Sequence, residues 1–393
     1  MKRRSDIDWL RAAAMFTIFL FHCARFFDAW DWHLKNAEQS VAFSIFTGFL
    51  SQWLMPLFFL LSGFGSWYAL EGRSPGEYLL DRAKRLLVPY YLLGLFLLIP
   101  PQYYWEQVTH GSFSGSFLDF LPHYFHFPRG PQFMGIHFGF DPLFLTYWSG
   151  HLWFLHYLFL ISLISLPIMI YLKTPVGRKR IERLSGLCGQ KAGIFFFVIP
   201  AAVVQMGLRA EFPHYLSWAD FFYWICFFLI GFIFAGDPRF NEGVERNGWG
   251  TLILGIFTSF LLVYLVIGKG YIAVWEKNPQ FGLGYLGYQA LRSINTWSWI
   301  VFFLFLGLKS LNFRSSISDY CREAVLPFYI LHQTVILAVG FWVIQWDLGV
   351  GVKYLIICGI SFLLIMAIYE GVVKRTMPLR FLFGLKFRNI SVL

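Results

Sequence analysis

The run Leu86-Leu-Val-Pro-Tyr-Tyr-Leu-Leu-Gly-Leu-Phe-Leu-Leu-Ile-Pro100 decides the fold class. It carries no charge, and it does not alternate apolar with polar residues as a strand of a membrane β-barrel would. Continued through Tyr104 it has the roughly 20 residues that a helix rising about 1.5 Å per residue needs to cross about 30 Å of hydrocarbon. Reading outward for similar runs gives ten candidates: roughly 9–27, 47–69, 86–104, 149–172, 193–208, 218–235, 249–268, 293–308, 325–346 and 352–373. Two are short, 193–208 and 293–308, and each is expected to be tilted, partly re-entrant or lengthened by its flanks. The expected fold is all-α, a polytopic transmembrane helix bundle of about ten spans.

Composition agrees. Of 393 residues, 57% are apolar, 21% aromatic and 14% charged, where a soluble domain carries about a quarter charged residues. The 47 phenylalanines and 16 tryptophans exceed what one soluble core hides. A disordered chain and a free-standing nucleic-acid binder are excluded, although the formal charge is +10. Lysine and arginine gather in the N-terminal end, the loops 71–85, 173–191, 236–248 and 309–323, and the tail. The other side and the helix ends hold only Arg25, Lys35, Arg129, Arg209, Lys269, Lys277, Arg292 and Lys353. Cytoplasmic loops retain basic residues, so both termini are expected inside, with an even number of spans. The basic balance then reflects topology and contact with anionic membrane lipid, and needs no nucleic acid.

Residues 1–375 are expected to form the transmembrane domain, and 376–393 a basic cytoplasmic tail. No cleavable signal peptide is expected, because the first run is full-length and carries an arginine and a histidine. Cys23, Cys188, Cys226, Cys321 and Cys358 are scattered and form no disulfide framework or metal-ligand spacing. The outer segment 105–148, rich in aromatics, Pro, Gly and His, is expected to wall or cover an outward-facing site. Gly282-Leu-Gly-Tyr-Leu-Gly287 matches a dinucleotide-binding pattern but follows no strand, and is expected to be a flexible outer loop. No Walker A, zinc-protease or nucleophile-elbow motif occurs, nor the H-x-x-x-x-D pair of many lipid acyltransferases.

Charge within lipid is costly and marks function by default. The first span holds Asp8-Trp9-Leu10-Arg11 and then His22. The spacing from Arg11 to His22 is almost three helical turns, so Asp8, Arg11 and His22 share one face, with His22 about 16 Å further out. An imidazole with a pKa near 6.5 can take a proton from a hydroxyl and return it, as acyl transfer requires. These three are the candidate catalytic residues; the alternative for His22 is an inward-facing packing histidine. Arg82 and Arg85 lie one turn apart at the cytoplasmic entrance of the third span, where planar forks suit a polyphosphate, or simply anchor topology.

Four further residues are candidate substrate contacts: His151, Trp153, Arg25 and Glu370. His151 and His156 bracket Gly150-His-Leu-Trp-Phe-Leu-His156 and either line a cavity or belong to an aromatic belt. Glu370, near the inner end of the last span, is either a partner for Arg11 or Arg82 or an ordinary interfacial glutamate. His332, in Pro327-Phe-Tyr-Ile-Leu-His332, reads as a packing hydrogen bond. Tyr103, Trp105, Trp148 and Trp153 offer faces for sugar rings.

Taken together, Asp8-x-x-Arg11 with His22, Pro56-Leu-Phe-Phe-Leu-Leu-Ser-Gly63, Arg82-x-x-Arg85, Gly150-His-Leu-Trp-Phe-Leu155 and Leu326-Pro-Phe-Tyr-Ile-Leu-His332 resemble acyltransferase family 3. Members are polytopic enzymes that O-acylate extracytoplasmic carbohydrates, which implies a multi-pass protein of the bacterial inner membrane here. The ending, Tyr369-Glu370 and Pro378-Leu-Arg-Phe-Leu-Phe-Gly384, resembles the branch associated with succinylation of periplasmic glucans. The resemblance implies a cytoplasmic acyl-CoA donor, with succinyl-CoA the best match, and a glucan or polysaccharide acceptor outside. It assigns His22 to catalysis, as base or covalent acyl relay, and Arg11, Arg82 and Arg85 to the donor. No metal is implied, and a homodimer is compatible. Three alternatives stay open: O-acetylation of another envelope polysaccharide, a transporter of an anionic solute using Arg11, Arg25 and His22, and a membrane-bound O-acyltransferase centred on His332 with Asn312 upstream.

Overall fold

The computed structural model describes residues 4–126, 150–190, 192–271, 274–275 and 279–386. Among them there is no strand. The helices are α1 (Ser5–Ala24), α2 (Val41–Ala69), α3 (Pro75–Thr109), α4 (Phe117–His126), α5 (Gly150–Lys173), α6 (Pro175–Cys188), α7 (Gly193–Leu208), α8 (Trp218–Gly236), α9 (Phe240–Val266), α10 (Leu283–Ser310), α11 (Ser316–Val343), α12 (Val350–Val373) and α13 (Met377–Leu382). Nine of these are long and apolar enough to span a bilayer. The chain is a multi-pass membrane protein.

One end of the bundle collects every basic segment. Arg4 bonds Asn241 at 3.1 Å, Trp9 donates to the Phe313 carbonyl, Lys173 faces Glu71 at 3.8 Å, Ser185 donates to Asp237 and Arg380 pairs with Glu323 at 2.7 Å. The opposite end is tied by Thr47 to Asp28 and by Lys353 to Asn36. The start of α1 and the end of α12 both lie at the basic end, so the crossings are even in number, and among the described residues the shorter apolar α7 joins the nine long helices to make that count even. It runs from Cys188, against which Gly193 packs, to Arg209, which pairs with Asp220 at the start of α8. Five 3₁₀ residues followed by 11 α-helical ones cover about 26 Å, just under the usual hydrocarbon thickness. The other short run, 293–308, is the middle of the 28-residue α10.

That extension corrects one expectation. Gly282-Leu-Gly-Tyr-Leu-Gly287 is not a loop but the start of α10. Tyr285 and Tyr288 are buried against Leu262, and this packing outweighs the weak helix propensity of glycine. Within the described residues, the tail also folds back: Arg380 of α13 is buried in its pair with Glu323.

Small residues set the tightest crossing. A Cβ on Gly63 of α2 would strike the Phe228 carbonyl of α8, and one on Gly231 would strike the Leu60 carbonyl of α2. Such close backbone approach is how helices associate where burial from water contributes nothing. Pro56 cannot donate to the Gln52 carbonyl one turn earlier, and Thr296 of α10 donates to that oxygen at 2.7 Å instead. The apolar centre, with Trp297, Phe59, Phe227 and Phe228 fully buried, sits among α2, α8 and α10. Gly231→Val should therefore cost about 1–3 kcal/mol or more through overpacking, read as a lowered thermal midpoint in detergent. Gly207→Val, at a position with open space around it, should not.

Candidate active site

A cavity of about 1110 Å³ runs between α1, α2, α3, α5 and α11. Asp8, Arg11, Arg82, Arg85 and Arg322 line its basic end, and His22, Arg25, Trp32, His33, His151 and Trp153 its other end. The expected shared face of Asp8, Arg11 and His22 is the face of α1 that looks into it.

At the basic end, Arg11 lies against α2. Its Nη2 donates to the Leu61 carbonyl at 2.7 Å, and Asp8 is 3.7 Å from Nη1. Gly65 makes room, since a Cβ there would come within 2.7 Å of that guanidinium. Arg82 is held by Tyr78 at 3.2 Å and by Ser66. Arg85 has no side-chain partner among the described residues. The three guanidiniums are near enough to repel one another, with Asp8 and Asp81 as the nearby carboxylates. An unbalanced cluster of this kind favours an anion.

At the other end, His22 Nδ1 lies 2.8 Å from His332 Nε2, with the rings 16° from parallel. His332 Nδ1 is 2.5 Å from the Tyr329 carbonyl. A carbonyl only accepts, so His332 carries its proton on Nδ1 and accepts at Nε2. His22 must then donate from Nδ1, which leaves the lone pair on its Nε2 to the cavity. A histidine oriented through its far nitrogen is the arrangement of an activated base. Trp32 lies 12° from parallel to the same ring, with 6.0 Å between centroids.

A second polar chain supports this one. His151 Nε2 donates to the Ile330 carbonyl at 3.0 Å, and Gln102 reaches its Nδ1 at 3.3 Å. Gln333 bridges Gln102 and His33, both at 3.2 Å, and His33 is fixed by Glu106. The loop that carries Trp32 and His33 is clamped by buried Asp28, which takes Arg25, Lys35 and Thr47. Burial pulls the Lys35 ammonium below its ordinary range, opposed by that carboxylate.

The expected residues thus divide. Asp8, Arg11, His22, Arg25, Arg82, Arg85, His151 and Trp153 share the cavity, and so does Tyr103. Trp153 is stacked on Trp224 at 5.0 Å. Glu370 lies outside it and pairs with Lys374 at 2.8 Å, one turn along the same helix, rather than with Arg11 or Arg82. His156 is buried beside Tyr90, away from the cavity lining. Trp148 and the stretch 127–148 of the outer segment lie outside the described residues. Sequence reasoning read His332 as a packing hydrogen bond or as the centre of an alternative enzyme class, not as a partner of His22, and did not single out His33, Gln102, Glu106 or Gln333. No group of three metal-ligating side chains occurs among the described residues.

Fold and site together define a helical membrane protein with an oriented histidine and a cluster of arginines joined by one cavity. The acyltransferase-domain profile of acyltransferase family 3 matches residues 4–370, and the chain belongs to that family. Glucans biosynthesis protein C of Escherichia coli strain SMS-3-5 is 24% identical over 98% of this chain and 94% of its own length. The proteins of that name from Escherichia coli O157:H7 and K12 are likewise 24% identical over the same shares. No solved structure matches.

Loss of the orienting bond gives a test. His332→Leu should lower acyl-transfer turnover by about 10²-fold or more, because His22 is no longer held in one tautomer. His332→Gln, which keeps an acceptor for His22 Nδ1, should recover part of that loss. Equal turnover in the two variants would reduce His332 to packing.

Proposed function

We propose that this protein is an O-acyltransferase of the bacterial inner membrane, with both termini in the cytoplasm. It moves an acyl group, for which succinyl is the best match, from a cytoplasmic acyl-CoA to a hydroxyl of an extracytoplasmic glucan or related carbohydrate. The observation that carries this reading is the single cavity joining Arg11, Arg82 and Arg85 to His22. The two ends are about 16 Å apart along α1. The pantetheine arm of coenzyme A, with the backbone bonds of a little over four residues, extends about 15 Å. A donor whose diphosphate rests on the arginines therefore brings its thioester to His22.

The chemistry follows from the open lone pair. His22 Nε2 takes the proton of the acceptor hydroxyl as the oxygen attacks the thioester carbonyl. The tetrahedral intermediate collapses, the carbon–sulfur bond breaks, and the proton passes from His22 to the departing thiolate. The products are an ester and coenzyme A, and the histidine returns to its starting state. A covalent acyl-histidine would use the same Nε2. The glucan acceptor rests on the resemblance and on the name of the relatives, and the succinyl donor on the resemblance alone.

The test is transfer from labelled succinyl-CoA to a glucan in proteoliposomes, beside a donor-binding measurement on the same preparation. His22→Gln keeps a hydrogen-bonding side chain but removes the base. Turnover should fall about 10²–10⁴-fold while donor binding persists. Near-normal turnover in the folded variant sinks the mechanism, and solute flux without acyl transfer would favour a carrier.

A further inference from the structure

The cavity has a second cationic wall that the expected motifs do not include. Along α11 the lining residues are Arg322, Val325, Leu326, Tyr329 and Gln333. They recur every three or four positions and so form one stripe of the helix. From Arg322 to Gln333 is three turns, about 16 Å. This repeats the spacing on α1, where Arg11 lies at the basic end and His22 at the other. The two helices pack together, and His22 meets His332, beside Gln333, at 2.8 Å. A shared level at one end and equal spacing set Arg322 at the mouth, level with Arg11.

Its neighbours agree. A Cβ on Gly384 would come within 2.9 Å of Leu326 and 2.7 Å of the Arg85 carbonyl, so α11 and the Arg85 turn flank the same glycine. Arg322 lies one turn closer to the mouth than Leu326. Nearby basic residues are engaged: Arg314 with Asp319, Arg380 with Glu323, Lys374 with Glu370. Arg322 is exposed at the rim and has no ion pair or side-chain hydrogen bond among the described residues. An arginine serving only topology needs no place in a cavity wall.

We propose that Arg322 binds the ribose 3′-phosphate of the acyl-CoA donor, a reading that rests on the acyl-CoA assignment above. Coenzyme A carries its phosphates in two separate groups, a diphosphate at the head of the pantetheine arm and a monoester on the ribose. With the thioester at His22, the arm leads toward the cytoplasmic mouth and the diphosphate to the half-buried Arg82 and its neighbour Arg85. The adenosine part then lies at the mouth itself, and its monoester meets the rim cation on the facing wall. A guanidinium suits a phosphate monoester through paired N–H donors.

The experiment compares binding of coenzyme A and 3′-dephospho-coenzyme A to the full-length protein in nanodiscs by titration calorimetry. Wild type should prefer coenzyme A. Arg322→Gln should weaken coenzyme A about ten- to hundredfold and leave 3′-dephospho-coenzyme A unchanged, which also shows that the variant is folded. Arg322→Lys should keep most of the preference, and Arg82→Gln should weaken both ligands. Equal binding of the two ligands by wild type overturns the assignment even if Arg322→Gln fails to fold. So does an Arg322→Gln protein that keeps the preference or loses both ligands by the same factor. If wild type binds neither ligand, the acyl-CoA reading itself falls and takes this one with it.

Discussion

The bond between His22 and His332 is the constraint on which the site depends. It joins two helices that are far apart in the chain, inside a medium where an imidazole N–H without a partner costs several kcal/mol. Each ring satisfies the other, and the Tyr329 carbonyl satisfies the end of the chain. Because helices are stiff, fixing α1 against α11 at this level also fixes their registers at the basic end. Close packing holds the same register elsewhere: Phe26 lies over Gly340 of α11, and Leu10 comes within 2.8 Å of where a Cβ on Gly307 of α10 would sit. One bond thus places both the lone pair of His22 and the guanidiniums three turns away.

The distribution of polar groups around that bond follows from solvent access. Deep in the bundle every charged or amide group of the network is answered, from Glu106 through His33, Gln333 and Gln102 to His151. Buried polar networks of this kind persist only when nearly complete, and a complete one is rigid. At the mouth the rule relaxes, since water can solvate a guanidinium until a ligand replaces it. Arg85 and Arg322 have no side-chain partner there among the described residues, and the repulsion of Arg85 by Arg82 is the kind that an arriving anion removes.

Much of this was legible in the sequence, for reasons that differ by feature. Spanning helices announce themselves by length and apolarity, so nine of ten runs map onto long helices. The direction of α7 needed the fold, because a run near 16 residues falls between a span and a re-entrant segment. His22 and Arg11 were visible because an ionisable group inside a span has few bland explanations. The pairing of His332 with His22 was not, since the two lie 310 positions apart. Arg322 was hidden in a different way. Its setting among basic loop residues matches ordinary anchoring, and only the stripe from Arg322 to Gln333 separates it from Arg314 or Lys309. Glycine misled in the opposite direction at Gly282–Gly287, where tyrosine burial decides for a helix.

The shape of the cavity bears on the choice between enzyme and carrier. A carrier that works by alternating access exposes its binding site to one side at a time, and opposing halves rock about it. No internal repeat is visible in this sequence, and the cavity reaches Arg85 and Arg322 as well as Arg25 and His33 in one conformation. A transferase has the reverse requirement. Its two reactants must be present together, one from each side, with the reacting atoms meeting at a group that both can reach. His22 is such a group, as it lines the cavity that also takes in the arginine end and Trp32. Under the proposed function, the pantetheine arm would carry its thioester from the arginine end to His22 and the acyl group would be handed over there, so neither reactant has to pass through.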